Sequence, residues 1–207
     1  MKNPRIVIID YGVGNTYSVS NAIRLLGYKR LRISDKEEEI DNADVIILPG
    51  VGAFEACVNN LKERSLIPIL NEQVLIKKKP ILGICVGMQL LASLSEENGE
   101  HEGLGWIEGR VKKLQLPEQF AVPHVGWNDV IMKKDSPIFN RNSQNSNFYF
   151  DHSYSFNCDE KYIVGYCNYG IKVTAAVQYE NIFGVQFHPE KSQTSGLKLF
   201  RGFFNSI

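Results

Sequence analysis

The chain predicts an α/β protein: a parallel, doubly wound sheet in the first half, with further strands, several of them antiparallel, added in the second. Three observations carry that expectation. Two short runs, residues 5–10 and 44–48, are β-branched and almost wholly apolar, as strands covered by helices on both faces should be. Between them Val19, Ala22, Ile23 and Leu26 recur at helical spacing, and Gly27 follows where a helix would stop. Beyond Gly103 the texture changes to short alternating or aromatic runs.

Taken in order, the first strand, a helix over residues 18–26 and the second strand make a β-α-β unit. After Pro49-Gly50-Val51-Gly52 a second helix reads through Ala56 and Leu61, and Pro68 can start another that includes Leu70 and Val74. Pro80-Ile81-Leu82 then opens a strand that meets a helix-like run over residues 88–92. Further strands are expected at 109–114, 127–132, 147–150, 163–169, 173–179 and 182–187, and a closing helix at 194–204. With 207 residues, 43% of them hydrophobic, and no repeat or long Pro/Gly/Ser linker, one domain over residues 1–207 is expected.

The 23 basic and 23 acidic residues cancel, so no electrostatic footprint points to nucleic acid or an anionic membrane. No apolar stretch approaches the roughly 20 residues that span a bilayer. The opening Met1-Lys2-Asn3-Pro4-Arg5 leads into a strand rather than a signal-peptide core, so a cytoplasmic location is expected. Cys57, Cys85, Cys158 and Cys167 show no Cys-x-x-Cys spacing and read as reduced thiols.

Gly83-Ile84-Cys85-Val86-Gly87 sets one cysteine between two glycines where a strand meets a helix-like run. In a nucleophile elbow the nucleophile sits on such a sharp turn, and the glycines give the crowded backbone room. A cysteine there also gains from a helix N-terminus, whose unpaired N–H groups and dipole favour a thiolate. The same pattern describes a buried cysteine at a strand-glycine-helix corner. Gly184-Val185-Gln186-Phe187-His188-Pro189-Glu190 reads as a strand ending in His-Pro-Glu. Residues two apart share a face of an extended segment, so Glu190 can orient the His188 imidazole, with Pro189 stiffening the link. A cysteine nucleophile needs such a histidine to take its proton and later protonate the leaving group. Alone, His188 reads rather as a hydrogen-bonded histidine at a strand end; the conjunction with the elbow is what points to catalysis.

Pro49-Gly50-Val51-Gly52 follows its strand at the end where ligands bind in open α/β sheets. A backbone N–H turned inward there would, with the N–H of Val86, complete an oxyanion hole; an ordinary β-α turn fits the same residues. Asp10-Tyr11-Gly12-Val13-Gly14-Asn15 offers Gly-x-Gly after the first strand, but Tyr17 stands where a dinucleotide fingerprint expects a third glycine or alanine. Nucleotide binding is therefore the non-hydrolytic alternative. The four histidines, His101, His124, His152 and His188, lack close ligand spacing, which gives a metal site little weight. In the clusters at 124–128 and 151–154, Trp127 and Tyr154, like the neighbouring Tyr149 and Phe150, suit core packing.

Together the elbow, the His-Pro-Glu strand end and the glycine turn resemble class I, triad-type glutamine amidotransferase domains, which implies a flavodoxin-like fold with a mostly parallel central sheet. The motifs at 10–15, 48–54, 83–89, 103–106, 123–128 and 184–192 are similar to those of the glutaminase subunits of imidazole glycerol phosphate synthases. That resemblance implies a triad of Cys85, His188 and Glu190, an oxyanion hole at Val51 and Val86, and L-glutamine held by Gly50, Gly52, Gln89, Ser153 and Tyr154. It implies that Trp127, Asn128 and Lys191 face a partner, and that no cofactor or metal is needed. The implied reaction is hydrolysis of glutamine to glutamate and ammonia. The ammonia is channelled to a (β/α)8 cyclase subunit, in a heterodimer making imidazole glycerol phosphate and AICAR for histidine biosynthesis. Thr16 stands where that family commonly has leucine, and Asp151 where an apolar residue commonly precedes the His-Ser/Thr-Tyr run. These departures leave a paralogue feeding another acceptor, for example one that builds amidino groups on surface sugars. A regulatory nucleotide-binding module and a stand-alone thiol hydrolase complete the alternatives.

Overall fold

The computed structural model describes residues 3–139 and 145–207. Met1 and Lys2, part of the lead-in to the first strand, lie outside them. The first half runs β1 (Ile6–Ile9), α1 (Thr16–Leu25), β2 (Leu31–Ser34), α2 (Glu37–Asn42), β3 (Val45–Gly50), α3 (Phe54–Glu63), α4 (Leu66–Asn71) with a π-turn over Glu72–Ile76, β4 (Ile81–Cys85) and the single-turn α5 (Val86–Gln89). The second half runs β5 (Ala92–Ser95), β6 (His101–Glu102), β7 (Ile107–Lys113), β8 (His124–Met132), β9 (Asn145–His152), β10 (Tyr154–Cys158), β11 (Ile163–Tyr169), β12 (Ile171–Tyr179), β13 (Ile182–Val185), a 3-10 turn over Pro189–Lys191 and α6 (Gln193–Asn205).

The apolar, β-branched runs form the middle of a nine-stranded sheet. Every residue of β1, β3, β4 and β13 is buried, as strands covered on both faces require. They lie parallel in the order β2, β1, β3, β4, β13, and β12, β11, β8 and β9 continue the same sheet antiparallel. The sheet is thus parallel from β2 to β13, with the antiparallel strands of the second half added beyond it, as the sequence predicts. A second sheet, β10-β7-β5-β6, was not anticipated; its members are short, and β7 buries only Ile107 and Val111 fully. α1 begins at Thr16, buries Thr16, Val19, Ser20, Ala22 and Ile23, and ends before Gly27 at φ +91°. Pro68 is the third residue of α4 rather than its first. First-turn N–H groups have no intrahelical acceptor, so a proline costs nothing there.

Where β13 leaves the sheet, Phe187 stacks on Phe148 with ring centroids 3.9 Å apart and meets Phe150 edge-on at 5.5 Å. All three are buried. Phe187→Ala is expected to cost about 3–5 kcal/mol of unfolding free energy in urea denaturation. A loss below about 1 kcal/mol would show that this stack is not a packed part of the core.

The register decides where the motifs end. Gly50 pairs with Cys85 across β3 and β4, and Ile84 pairs with Val185 across β4 and β13. Three segments far apart in sequence therefore reach the C-terminal edge of three adjacent parallel strands, the edge where open α/β sheets bind ligands.

Candidate active site

β4 turns sharply at Cys85, whose φ of 55° and ψ of −113° are rare for a non-glycine residue and mark stored backbone strain. The turn is pressed against β3. A Cβ on Gly87 would sit 1.9 Å from the Leu48 carbonyl oxygen, and one on Gly50 would sit 2.6 Å from the Gly87 nitrogen. The helix that follows is shorter than its sequence suggests, because the carbonyls of Leu90 and Leu91 accept from Leu104 and Ile107, and Ala92 starts β5. One turn of helix carries little dipole, so polarisation of the cysteine falls to side chains.

His188 supplies the first of these. It shares the pocket with Cys85, and its Nδ1 lies 2.8 Å from Glu190 Oε1. Glu190 reaches it through the 3-10 turn rather than along an extended strand, since β13 already ends at Val185. Burial works against a charged imidazole, yet the hydrogen bonds and charges of Cys85 and Glu190 outweigh it and push His188 up to about 10. The turn is clamped to β9. His188 N donates to Tyr149 O at 2.8 Å, while Ser192 Oγ donates to His188 O at 2.6 Å and accepts from Tyr149 N at 3.0 Å.

Cys85 and His188 open into a pocket of about 400 Å³ whose wall includes Val51, Gly52, Val86, Gln89, Ser153, Tyr154 and Lys191. Seven of the residues singled out in the sequence beyond the triad thus line one cavity. Gly50 lies behind the wall, and Glu190 behind His188. Trp127 and Asn128 are not part of the lining: Trp127 is 47% exposed on β8, and Asn128 Nδ2 donates to Asn168 O at 3.1 Å. Trp127 and Lys191 nevertheless meet at one ring, Tyr149, at 6.1 and 5.4 Å.

Three contributors went unnoticed in the sequence. Tyr11, fully buried, donates its hydroxyl to Pro49 O at 2.5 Å, and Cys57 Sγ donates to Val51 O at 3.5 Å. The peptides on either side of Gly50-Val51 are thereby held, and the Asp10 to Asn15 loop is spent on this support, with Gly14 against Pro49. Glu97 lines the pocket and accepts from Phe54 N at 2.8 Å where α3 begins. In the sequence it is one carboxylate in a polar loop, and nothing distinguishes it from a solvated neighbour.

His152, on the pocket wall, pairs with His124 behind it. His152 Nδ1 must donate to Tyr154 O at 2.8 Å, so its Nε2 accepts from His124 Nδ1 at 3.0 Å. The His124 ring is stacked between Phe150 and Tyr169. Burial pushes His152 down to about 3 and His124 to about 4, so both are neutral in the native state at neutral pH. Unfolded, each takes up a proton near pH 6.5. The stability that this pair contributes is therefore full above pH 6.5 and falls as pH drops from 6.5 towards 3, with a slope approaching about 2.7 kcal/mol per pH unit where both sites protonate on unfolding. His124→Gln is expected to halve that slope in denaturation curves taken between pH 6 and 4. An unchanged slope would contradict a neutral pair.

A strained cysteine elbow, a histidine-carboxylate pair and a glycine turn at the ends of adjacent parallel strands define an acyl-transfer site. The sequence profile of the family "Glutamine amidotransferase class-I" matches residues 7–207, and the chain belongs to that family. Imidazole glycerol phosphate synthase subunit HisH 2 of Vibrio vulnificus is 48% identical over 203 residues, 98% of this chain and 95% of that one. The subunit of the same name from Pseudomonas aeruginosa is 47% identical over 203 residues, 98% of this chain and all of that one. The fold is shared with the solved structure of PurLQS from Thermotoga maritima at TM-score 0.74 and 19% identity, covering 99% of each chain. Among the described residues no helix is long and apolar enough to cross a membrane.

Proposed function

We propose that this chain is the glutaminase subunit of an imidazole glycerol phosphate synthase, hydrolysing L-glutamine and delivering the ammonia to a (β/α)8 cyclase subunit. The observation that carries this reading is the meeting of Cys85, the His188-Glu190 pair and the Gly50-Val51 turn in one pocket of a class-I glutamine amidotransferase.

The glutamine carboxamide enters with its side chain between Gly52, Gln89, Ser153 and Tyr154, and the carboxylate of Glu97 offers charge complementarity to the α-ammonium group. Cys85 attacks the carboxamide carbon as thiolate. The oxygen that gains negative charge is received by the N–H groups of Val51 and Val86. His188, charged between Cys85 and Glu190, gives its proton to the nitrogen as the C–N bond breaks, leaving ammonia and a thioester. The neutral imidazole then takes a proton from water, whose oxygen attacks the thioester carbon, and glutamate leaves as the sulfur is released. Glu190 keeps the ring in one tautomer throughout. Trp127, Asn128 and Lys191 form the edge that meets the cyclase. The protein works in the cytoplasm as one domain over residues 1–207.

A second reading, in which the ammonia goes to a different synthase such as one that amidinates surface sugars, rests on Asp151, a carboxylate on the pocket wall. Glutamate release measured alone and with the cyclase subunit and its nucleotide substrate separates the two. Strong stimulation is expected. Activity that the cyclase leaves unchanged, with Cys85 still labelled by a glutamine-analogue affinity reagent, would assign the protein to another acceptor.

A further inference from the structure

We infer that Gln186 is a positioning residue for the reaction: its amide N–H is aimed at the Cys85 sulfur and is locked in that orientation by Gln89. The inference rests on Cys85 being the nucleophile. Gln186 is completely buried and Gln89 is 3% exposed, so their amide groups must find partners within the protein. Those partners settle which end of each amide is which. Gln89 Nε2 lies 3.1 Å from the carbonyl oxygen of Tyr154, which can only accept, so this end of Gln89 is the donor. The same group lies 3.0 Å from Gln186 Oε1, which therefore accepts. The other end of Gln186, its NH2 group, is the one left facing Cys85 Sγ, at 3.8 Å.

A single backbone carbonyl thus sets a relay of two amides that ends on the sulfur. Burying a primary amide costs free energy that an apolar residue of the same size would avoid, so its presence calls for a role beyond filling space. An N–H directed at sulfur favours negative charge there and selects the side-chain rotamer that points into the pocket. With only one helical turn after Cys85, this amide is the side-chain donor held at the sulfur, with His188 in the same pocket. The position of Gln186 is held by its own backbone, whose N–H donates to Ala175 O at 2.8 Å.

Gln186→Met keeps the volume and removes the donor. In the complex with the cyclase, kcat is expected to fall about tenfold or more, with KM within about threefold, the signature of an interaction that acts on the reacting sulfur. In the chain alone, the rate at which iodoacetamide alkylates Cys85 at pH 7 is expected to fall by a similar factor. Burial pushes the other thiols up, Cys57 to about 11 and Cys158 and Cys167 to about 12, so they do not compete at that pH. A packing role alone would lower the unfolding midpoint and leave the alkylation rate of the folded protein unchanged, and that result would overturn the inference. Should Gln186→Met fail to fold, Gln186→Glu is read in the same way. It is isosteric, keeps an oxygen for Gln89 and turns a carboxylate oxygen on the sulfur, so alkylation equal to wild type would overturn the inference as well. Alkylation needs no glutamine. A wild-type protein that turned over no glutamine would refute the proposed function while leaving the comparison of alkylation rates intact.

Discussion

Cys85→Ala is expected to lower glutamate release from glutamine by about 10⁴-fold or more, while the variant unfolds within a few degrees of the parent. The size of the first effect follows from the chemistry. Without sulfur there is no thioester, and the remaining oxyanion donors and binding contacts act only on a direct attack by water. The small second effect follows from the packing. The sulfur takes part in no strong hydrogen bond to the backbone, its contact with Asp151 O being 4.0 Å, and alanine inherits the same strained φ without worsening it. The variant also reports on His188, which Cys85 helps to push up; with that partner gone the imidazole is expected to lose part of its preference for the proton, visible by NMR titration. Glutamate production by the alanine variant at more than about a hundredth of the parental rate would rule out the covalent route.

Gly87→Ala is expected to be the most damaging small substitution in the elbow, with a loss above about 4 kcal/mol or a failure to give soluble protein. The added methyl would meet the Leu48 carbonyl oxygen at 1.9 Å and the Pro49 carbonyl carbon at 3.3 Å. Neither neighbour can move aside cheaply. Leu48 is paired with Gly83 in the ladder between β3 and β4, and Pro49 is held by the Tyr11 hydroxyl. Relief would have to come from separating the elbow from β3, which also separates Cys85 from Val51. A variant that melts close to the parent and keeps its activity would mean that the elbow and β3 are not in contact.

The parallel half of the sheet could be read from residues 5–10 and 44–48 because strands buried on both faces leave an unbroken apolar run. The triad could be read because its chemistry requires particular residue types at short spacing, and those survive as local motifs. What escaped was set by distant partners. β2 reads Leu-Arg-Ile-Ser, an edge strand with mixed exposure, and β10 starts inside what looks like a polar-aromatic cluster. Residues 88–92 keep a helical pattern, yet hydrogen bonds from Leu104 and Ile107 draw the chain into β5 after one turn. Tyr11 and Glu97 act through contacts 38 and 43 residues away, and no window of sequence contains both ends of either.

β13 is made after the other strands among the described residues, yet it takes its place inside the sheet, between β4 and β12. A ribosome that has released everything up to β12 has therefore produced a chain whose Cys85 exists and whose base does not, with a slot open where β13 must enter. Insertion of a late strand into the middle of a sheet is a long-range event and a slow one. Until it happens, partly made copies of the protein lack the base that the reaction needs, and the arrival of four residues and the turn behind them brings His188 to Cys85 before α6 is made.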